Sequence, residues 1–157
     1  MKKTLIGLLA LSAVSTASAD SYVGGSIGSG LSLHYQTDRT ATSAMRYSLN
    51  LDATQFNFNQ LTLGGSVDYL SNFAGQSLGS GLTPYYGLGL GAGVALGDNY
   101  SGVGVYPHGI LGLKYQISTP LSTFGEVNAG PYIDFGSGGG IGFGYNLRIG
   151  INYVLNR

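Results

Sequence analysis

Ile141-Gly142-Phe143-Gly144-Tyr145-Asn146-Leu147-Arg148-Ile149-Gly150-Ile151-Asn152-Tyr153-Val154-Leu155 is the stretch that decides the fold. Every second residue is apolar, eight in succession from Ile141 to Leu155. Between them stand Gly142, Gly144, Asn146, Arg148, Gly150 and Asn152. Successive side chains of a β-strand point to opposite faces, so this period of two predicts one long strand. One of its faces is apolar and the other is small or polar.

The same pattern recurs towards the N-terminus. Leu121 to Phe135 sets Val127, Ala129 and Ile133 against Glu126, Asn128 and Asp134, and Gly136 to Gly139 reads as a turn. Gly102 to Ile117 sets Leu111, Leu113, Tyr115 and Ile117 against Lys114 and Gln116 and closes at Ser118-Thr119-Pro120. In Leu82 to Leu96 the residues Tyr86, Leu88, Leu90, Ala92, Val94 and Leu96 share one face, and Gly87, Gly89, Gly91 and Gly93 share the other. Leu61 to Leu70 and Ala44 to Asp52 obey the same rule, placing Asp68 and Arg46 on their polar faces. Ser21 to Gln36 reads as a single first strand with Val23, Ile27, Leu31, Leu33 and Tyr35 on one side.

That makes seven strands. A single-chain bacterial barrel has an even number, which puts both termini on the periplasmic side. The expectation is therefore eight strands. The missing one is sought in the Gly/Ser-rich stretch 72–82 or in a break of 100–117 at Pro107, since proline disfavours a central strand.

Alternation alone does not say which face meets water, because a soluble sandwich alternates as well. Three features favour lipid outside. Many strands reach ten residues, and a tilted spanning strand needs about 9–11. The polar faces are mostly Gly, Ser, Asn and Thr, which suit a narrow lumen. Tyr22, Tyr35, Tyr69, Tyr86, Tyr115 and Tyr153 fall near strand ends, where an aromatic girdle belongs. Composition agrees: only 9% of residues are charged, and the chain has 28 Gly and 12 Tyr but no Trp. Soluble domains carry about 25% charge. A Gly-rich secreted β-protein is the alternative from another class.

The first 19 residues read as a signal peptide. Lys2 and Lys3 precede the apolar stretch Thr4 to Val14, and Ala17-Ser18-Ala19 is a small-x-small cleavage site. Cleavage after Ala19 leaves 138 of the 157 residues as one domain, 20–157. Without Lys2 and Lys3, five basic residues face seven acidic ones, a net charge of −2. Nucleic acid is not an expected partner of such a chain. With no cysteine, disulfides and thiolate metal sites are excluded.

Arg148-Ile149-Gly150-Ile151-Asn152-Tyr153-Val154-Leu155 resembles the outer-membrane insertion signal, with Arg148, Gly150, Tyr153 and Leu155 at its defining positions. With the signal peptide, the whole of 20–157 resembles the small outer-membrane barrel proteins typified by the OmpA transmembrane domain and OmpX. The resemblance implies an antiparallel transmembrane β-barrel, localisation in a bacterial outer membrane, and outer-membrane lipid and the barrel-assembly machinery as partners. One departure is that the chain runs on through Asn156 to Arg157, where a terminal Phe is usual.

The candidate chemistry lies on the polar faces. Arg46, Asp68, Lys114, Glu126 and Arg148 should all point into the lumen and pair, because buried charges need partners. They form either an ionic plug or a set of pairs that merely fill space. Lys114 is the expected partner of Glu126, across a short turn. His34 and His108 are the only histidines, and neither has the His-x-Ser context of a lipid-modifying barrel enzyme. The Gly-x-Gly runs at 87–93 and 138–144 lack the lysine and helix of a phosphate loop. They suit tyrosines packing across strands. The functional expectation is a non-enzymatic, porin-like barrel with an envelope-structural or narrow-pore role and no cofactor. A lipid-modifying enzyme is the rival.

Overall fold

The computed structural model of the chain describes residues 20–53, 60–73, 81–97, 100–135 and 139–156. The expected signal peptide, with Ala17 and Ala19, lies outside the described residues. Eight strands follow in order: β1 Ser21–Ile27, β2 Gly30–Asp38, β3 Ser43–Ala53, β4 Gln60–Asn72, β5 Leu82–Gly97, β6 Tyr100–Gln116, β7 Leu121–Asp134 and β8 Ile141–Asn156. Each pairs antiparallel with the next, and β8 pairs back with β1, so the sheet closes into a barrel. The architecture is all-β, and closure removes the edges that an open sheet would expose.

Most of the stretch 72–82 lies outside the described residues, and the eighth strand does not come from a break at Pro107. It comes from the first expected strand, which is a hairpin broken at Gly28-Ser29. Ile27 faces Leu31 across that turn, and Gly25 faces Leu33. Ile27 and Leu31 are an even number of positions apart, so the outward parity passes through the turn unchanged and the alternation hides the break. The turn signal is Gly28-Ser29-Gly30 itself.

β6 runs unbroken through Pro107. Its pairing with β7 stops at Val105↔Ile133 and resumes at Gly109↔Ala129 in the same register. That register sets Pro107 directly opposite Pro131. Neither proline has an N–H to donate, so the two remove both bonds that a facing pair would exchange.

Outward residues form an apolar belt. Leu33 is 71% exposed and Tyr145 80%, and the odd positions of β8 from Ile141 to Leu155 are all exposed. Tyr35, Tyr69, Tyr86, Tyr115 and Tyr153 face outward as expected of a girdle. Tyr22 does not: it shares the inward parity of Gly24, and its hydroxyl donates to Asp38 Oδ2 at 3.1 Å. The lumen is packed by aromatic rings laid over glycines of neighbouring strands. A Cβ at Gly112 would strike the Tyr85 ring, and one at Gly150 the Phe124 ring.

Strand lengths are uneven. β1 has 7 residues and β2 has 9, whereas β5 has 16 and β6 has 17. The last pair between β1 and β8 is Ile27↔Ile149, so Ile141 to Arg148 run on beyond the end of β1. At the end of the barrel opposite the termini, the wall is low at the β1–β2 hairpin.

Candidate functional site

Register builds the site before any side chain reaches across the lumen. Arg46 on β3 stands directly opposite Asp68 on β4, and Glu126 on β7 directly opposite Arg148 on β8. Each couple thus places one cation beside one anion on neighbouring strands. The barrel is narrow enough for the two couples to meet. Arg46 donates from Nη1 to Glu126 Oε2 and from Nη2 to Glu126 Oε1, both at 2.9 Å. Its Nε also reaches Asp68 Oδ2 at 3.2 Å. Arg148 donates to Glu126 Oε1 from Nε and lies 3.4 Å from Asp68 Oδ2 through Nη2.

The cluster is dry. Arg46 and Glu126 are 2% exposed, Asp68 0% and Arg148 8%. Four such charges taken from water are tolerable only if they neutralise one another and fill their hydrogen-bonding sites. Two guanidinium groups balance two carboxylates in charge, with the planar Arg46 fork matching the Glu126 carboxylate in a bidentate pair, while Asp68 Oδ1 is reached by neither arginine. Tyr85 donates to Glu126 Oε2 at 2.6 Å, and the Arg46 guanidinium sits 5.5 Å from the centre of the Phe124 ring.

His108 joins from β6. Its Nε2 is 3.2 Å from Asp68 Oδ1, its Nδ1 is 2.9 Å from the Tyr106 carbonyl oxygen, and its ring stacks on that of Tyr106 at 4.7 Å. Gly89 lies between the two strands because a Cβ there would strike both the Asp68 carboxylate and the His108 ring. His108 and Tyr85 are not among the expected members. Parity is the signal that could have found them: His108 shares the face of Lys114, and Tyr85 that of Gly87.

Of the five expected charges, four meet and Lys114 does not. Lys114 stands opposite Phe124, while Glu126 stands opposite Gly112. Adjacency across the β6–β7 turn therefore sets Lys114 two positions nearer the terminal end than Glu126, and Tyr85 covers the intervening glycine. Lys114 instead lines a chamber of about 60 Å³ with Gln36, Asp38, Thr40 and Tyr85. On the other side of the cluster, a chamber of about 90 Å³ has Arg148, His108, Asn128 and Asn146 in its lining. The cluster separates the two.

His34 is buried elsewhere, with Nε2 2.6 Å from Asn152 Oδ1 and its ring edge-on to Phe124. Among the described residues, no group of three or more His, Cys, Asp or Glu is placed to hold a metal. Of the expected insertion-signal residues, Arg148 and Gly150 face the lumen, whereas Tyr153 and Leu155 face out.

No protein-family model matches the chain, and no curated protein matches it in sequence. Solved structures do match. The N-terminal β-barrel domain of OprF from Pseudomonas aeruginosa superimposes with a TM-score of 0.57 at 15% identity, covering 87% of this chain and 96% of that one. Neisserial surface protein A matches with a TM-score of 0.57 at 14% identity over 86% and 93% of the two chains. A major outer membrane protein from Thermus thermophilus matches with a TM-score of 0.54 at 12% identity over 88% and 100%. At these identities the likeness is one of fold, and the fold is that of the eight-stranded barrels of bacterial outer membranes.

Proposed function

We propose that this chain is a non-enzymatic barrel of a bacterial outer membrane, closed at mid-lumen by an ionic plug and serving the envelope structurally, with conduction limited to a narrow pore. The observation that carries the reading is the neutral, dry cluster of Arg46, Asp68, Glu126 and Arg148 spanning the lumen from β3 to β8. The apolar belt supports the membrane setting, since every backbone group of a closed barrel can pair without water. Outer-membrane lipid is the surrounding partner, and the barrel-assembly machinery would read Tyr153 and Leu155 on the outer face of β8.

The lipid-modifying alternative needs a histidine with a free ring nitrogen beside a nucleophile. Both nitrogens of His108 face acceptors, Asp68 Oδ1 and the Tyr106 carbonyl, and His34 is engaged with Asn152. These engagements support the non-enzymatic reading.

Single-channel recording in a planar bilayer tests the plug. The wild-type chain should show small or absent conductance, and Glu126→Gln should raise it. Large, stable conductance in the wild-type chain overturns the plug. Lipid A mass spectra that change on deletion, and are restored only with His108 intact, would favour the enzyme.

A further inference from the structure

We propose that the outer face of β1–β2 is a dimer interface, at which two copies of this chain pack side by side in one membrane with Leu33 of each seated over Gly25 of the other. The interface goes beyond the plug reading and rests only on its membrane setting.

Wall height comes first. A spanning strand rises about 3.3 Å per residue and tilts by about 35–45°. With 7 residues, β1 then covers about 16–19 Å of bilayer depth, and β2, with 9, about 21–24 Å. With 16 residues, β5 covers about 37–43 Å. The apolar band of such a barrel is about 25 Å tall. Lipid beside β1 would have to thin to meet it, and a span that falls short of the bilayer relieves that strain by associating. Setting one low wall against another takes both out of lipid.

Relief on the same face gives the fit. Gly25 takes the outward parity of Val23 and Ile27, and it floors an apolar groove of about 900 Å³ walled by those two residues, Leu33 and Ile151. Its ladder partner on β2 is Leu33, among the most exposed side chains of the belt. The row continues through Leu49 on β3 to Gly65 on β4. The face thus carries a ridge of two leucines with a glycine hollow on either side. Between spanning segments no hydrophobic drive favours contact over lipid, so association depends on close packing, and small residues allow it by letting backbones approach. Gly25 is such a place, and Leu33 is the group that fills it.

Symmetry decides the occupant. A two-fold axis along the membrane normal keeps both copies in the same orientation in the bilayer and relates points at equal height. Gly25 and Leu33 stand side by side on neighbouring strands, so an axis running between β1 and β2 exchanges them. Knob and hollow therefore satisfy each other twice, which is what a self-complementary interface requires. The outward positions of β1 and β2 carry no charged residue, so the contact buries no charge.

The chain has no cysteine, so one introduced thiol reports on one place. Leu31→Cys and Leu90→Cys are each inserted into phosphatidylcholine vesicles at high dilution in lipid, and insertion is checked by gel mobility before boiling. The two leucines are matched in exposure, 59% and 57%, but Leu31 lies beside the proposed axis and Leu90 on β5, across the ring from β1. A short thiol–thiol crosslinker should join Leu31→Cys chains into dimers and leave Leu90→Cys chains largely single. The dimer yield should be higher in dioleoyl than in the thinner dilauroyl vesicles. Adding Gly25→Leu to Leu31→Cys fills the hollow and should weaken association roughly ten-fold. Adding Leu33→Ala instead removes the knob without touching the barrel interior, and should act in the same direction even if Gly25→Leu fails to fold. Equal yields at the two positions, as chance collisions of lipid-coated monomers would give, overturn the interface. So do equal yields in the two lipids, or a yield that Leu33→Ala leaves unchanged. A folded, inserted chain that stays monomeric overturns the dimer and leaves the plug reading untouched.

Discussion

Arg46 and Glu126 face each other across the lumen from β3 to β7 as a bidentate pair, with both N–O distances at 2.9 Å. They are 80 residues apart in sequence. Only closure of the sheet brings them together, so their contact reports on the barrel as a whole.

Removing one member should therefore cost much more than a surface ion pair. Glu126→Ala leaves Arg46 and Arg148 facing one carboxylate, Asp68, in a site that water does not reach. Breaking a buried pair this way typically costs about 3–5 kcal/mol. A second change that removes the excess charge, Arg148→Met, should recover part of the loss, whereas Lys114→Met should recover none, because Lys114 is outside the cluster. Urea unfolding in detergent or lipid measures all three. Recovery by Lys114→Met in place of Arg148→Met would show that the cluster is not assembled as described.

The lumen glycines differ sharply from outward ones in what they tolerate. A Cβ at Gly89 would meet Asp68 and His108, whereas at Gly125, which faces out, it would meet nothing within 4 Å. Gly89→Ala should lower stability by roughly 1–3 kcal/mol through overpacking. Gly125→Ala should leave stability within about half a kcal/mol. Equal unfolding midpoints for the two variants would contradict the packing of Asp68 over Gly89.

What is legible in the sequence follows from parity. Period two identifies the outward, apolar face of the strands and the inward direction of all five charges. Parity is blind in two ways, and each produces an error; a third error comes from setting parity aside. It passes through a turn that preserves it, so Ile27 and Leu31 look like one strand. It says which face a residue takes but not its height, so Lys114 looks like the partner of Glu126 although the register puts Gly112 there. Placing aromatic residues by position along a strand ignores it, which puts Tyr22 in the girdle and leaves Tyr85 out of the cluster. The Arg46–Glu126 pair depends on closure and on the tilt of the strands, neither of which is a local property of sequence.

Closure itself has a simple readout. The folded chain in detergent should migrate differently on a gel before and after boiling, since a barrel with every strand paired on both sides resists unfolding until heated. Gly24 lies at the closing seam, where a Cβ would strike the Ile151 carbonyl of β8. Gly24→Val should therefore lower the temperature at which the folded band is lost. Identical migration of boiled and unboiled wild-type chain would count against a closed barrel.

The Pro107–Pro131 pair lies in an interruption of the β6–β7 ladder. Both residues take the outward parity of their strands, set by Leu111 and Val127. Valine is therefore acceptable to lipid at either position, and each valine restores one N–H aimed at the opposing carbonyl. A backbone hydrogen bond is worth about 0.5–1.5 kcal/mol net. Loss of proline gives back some unfolded-state entropy, of order 0.4–1 kcal/mol per site. Each single variant should thus change global stability little. The local effect has no such offset: the double variant Pro107→Val with Pro131→Val should slow amide exchange at Gly109 and Ile133, which flank the gap, more than either single variant does. Exchange that is unchanged or faster in the double variant would mean that the facing bonds are not formed, and that the interruption between Val105↔Ile133 and Gly109↔Ala129 is set by the packing of Gly130 against the Pro107 carbonyl.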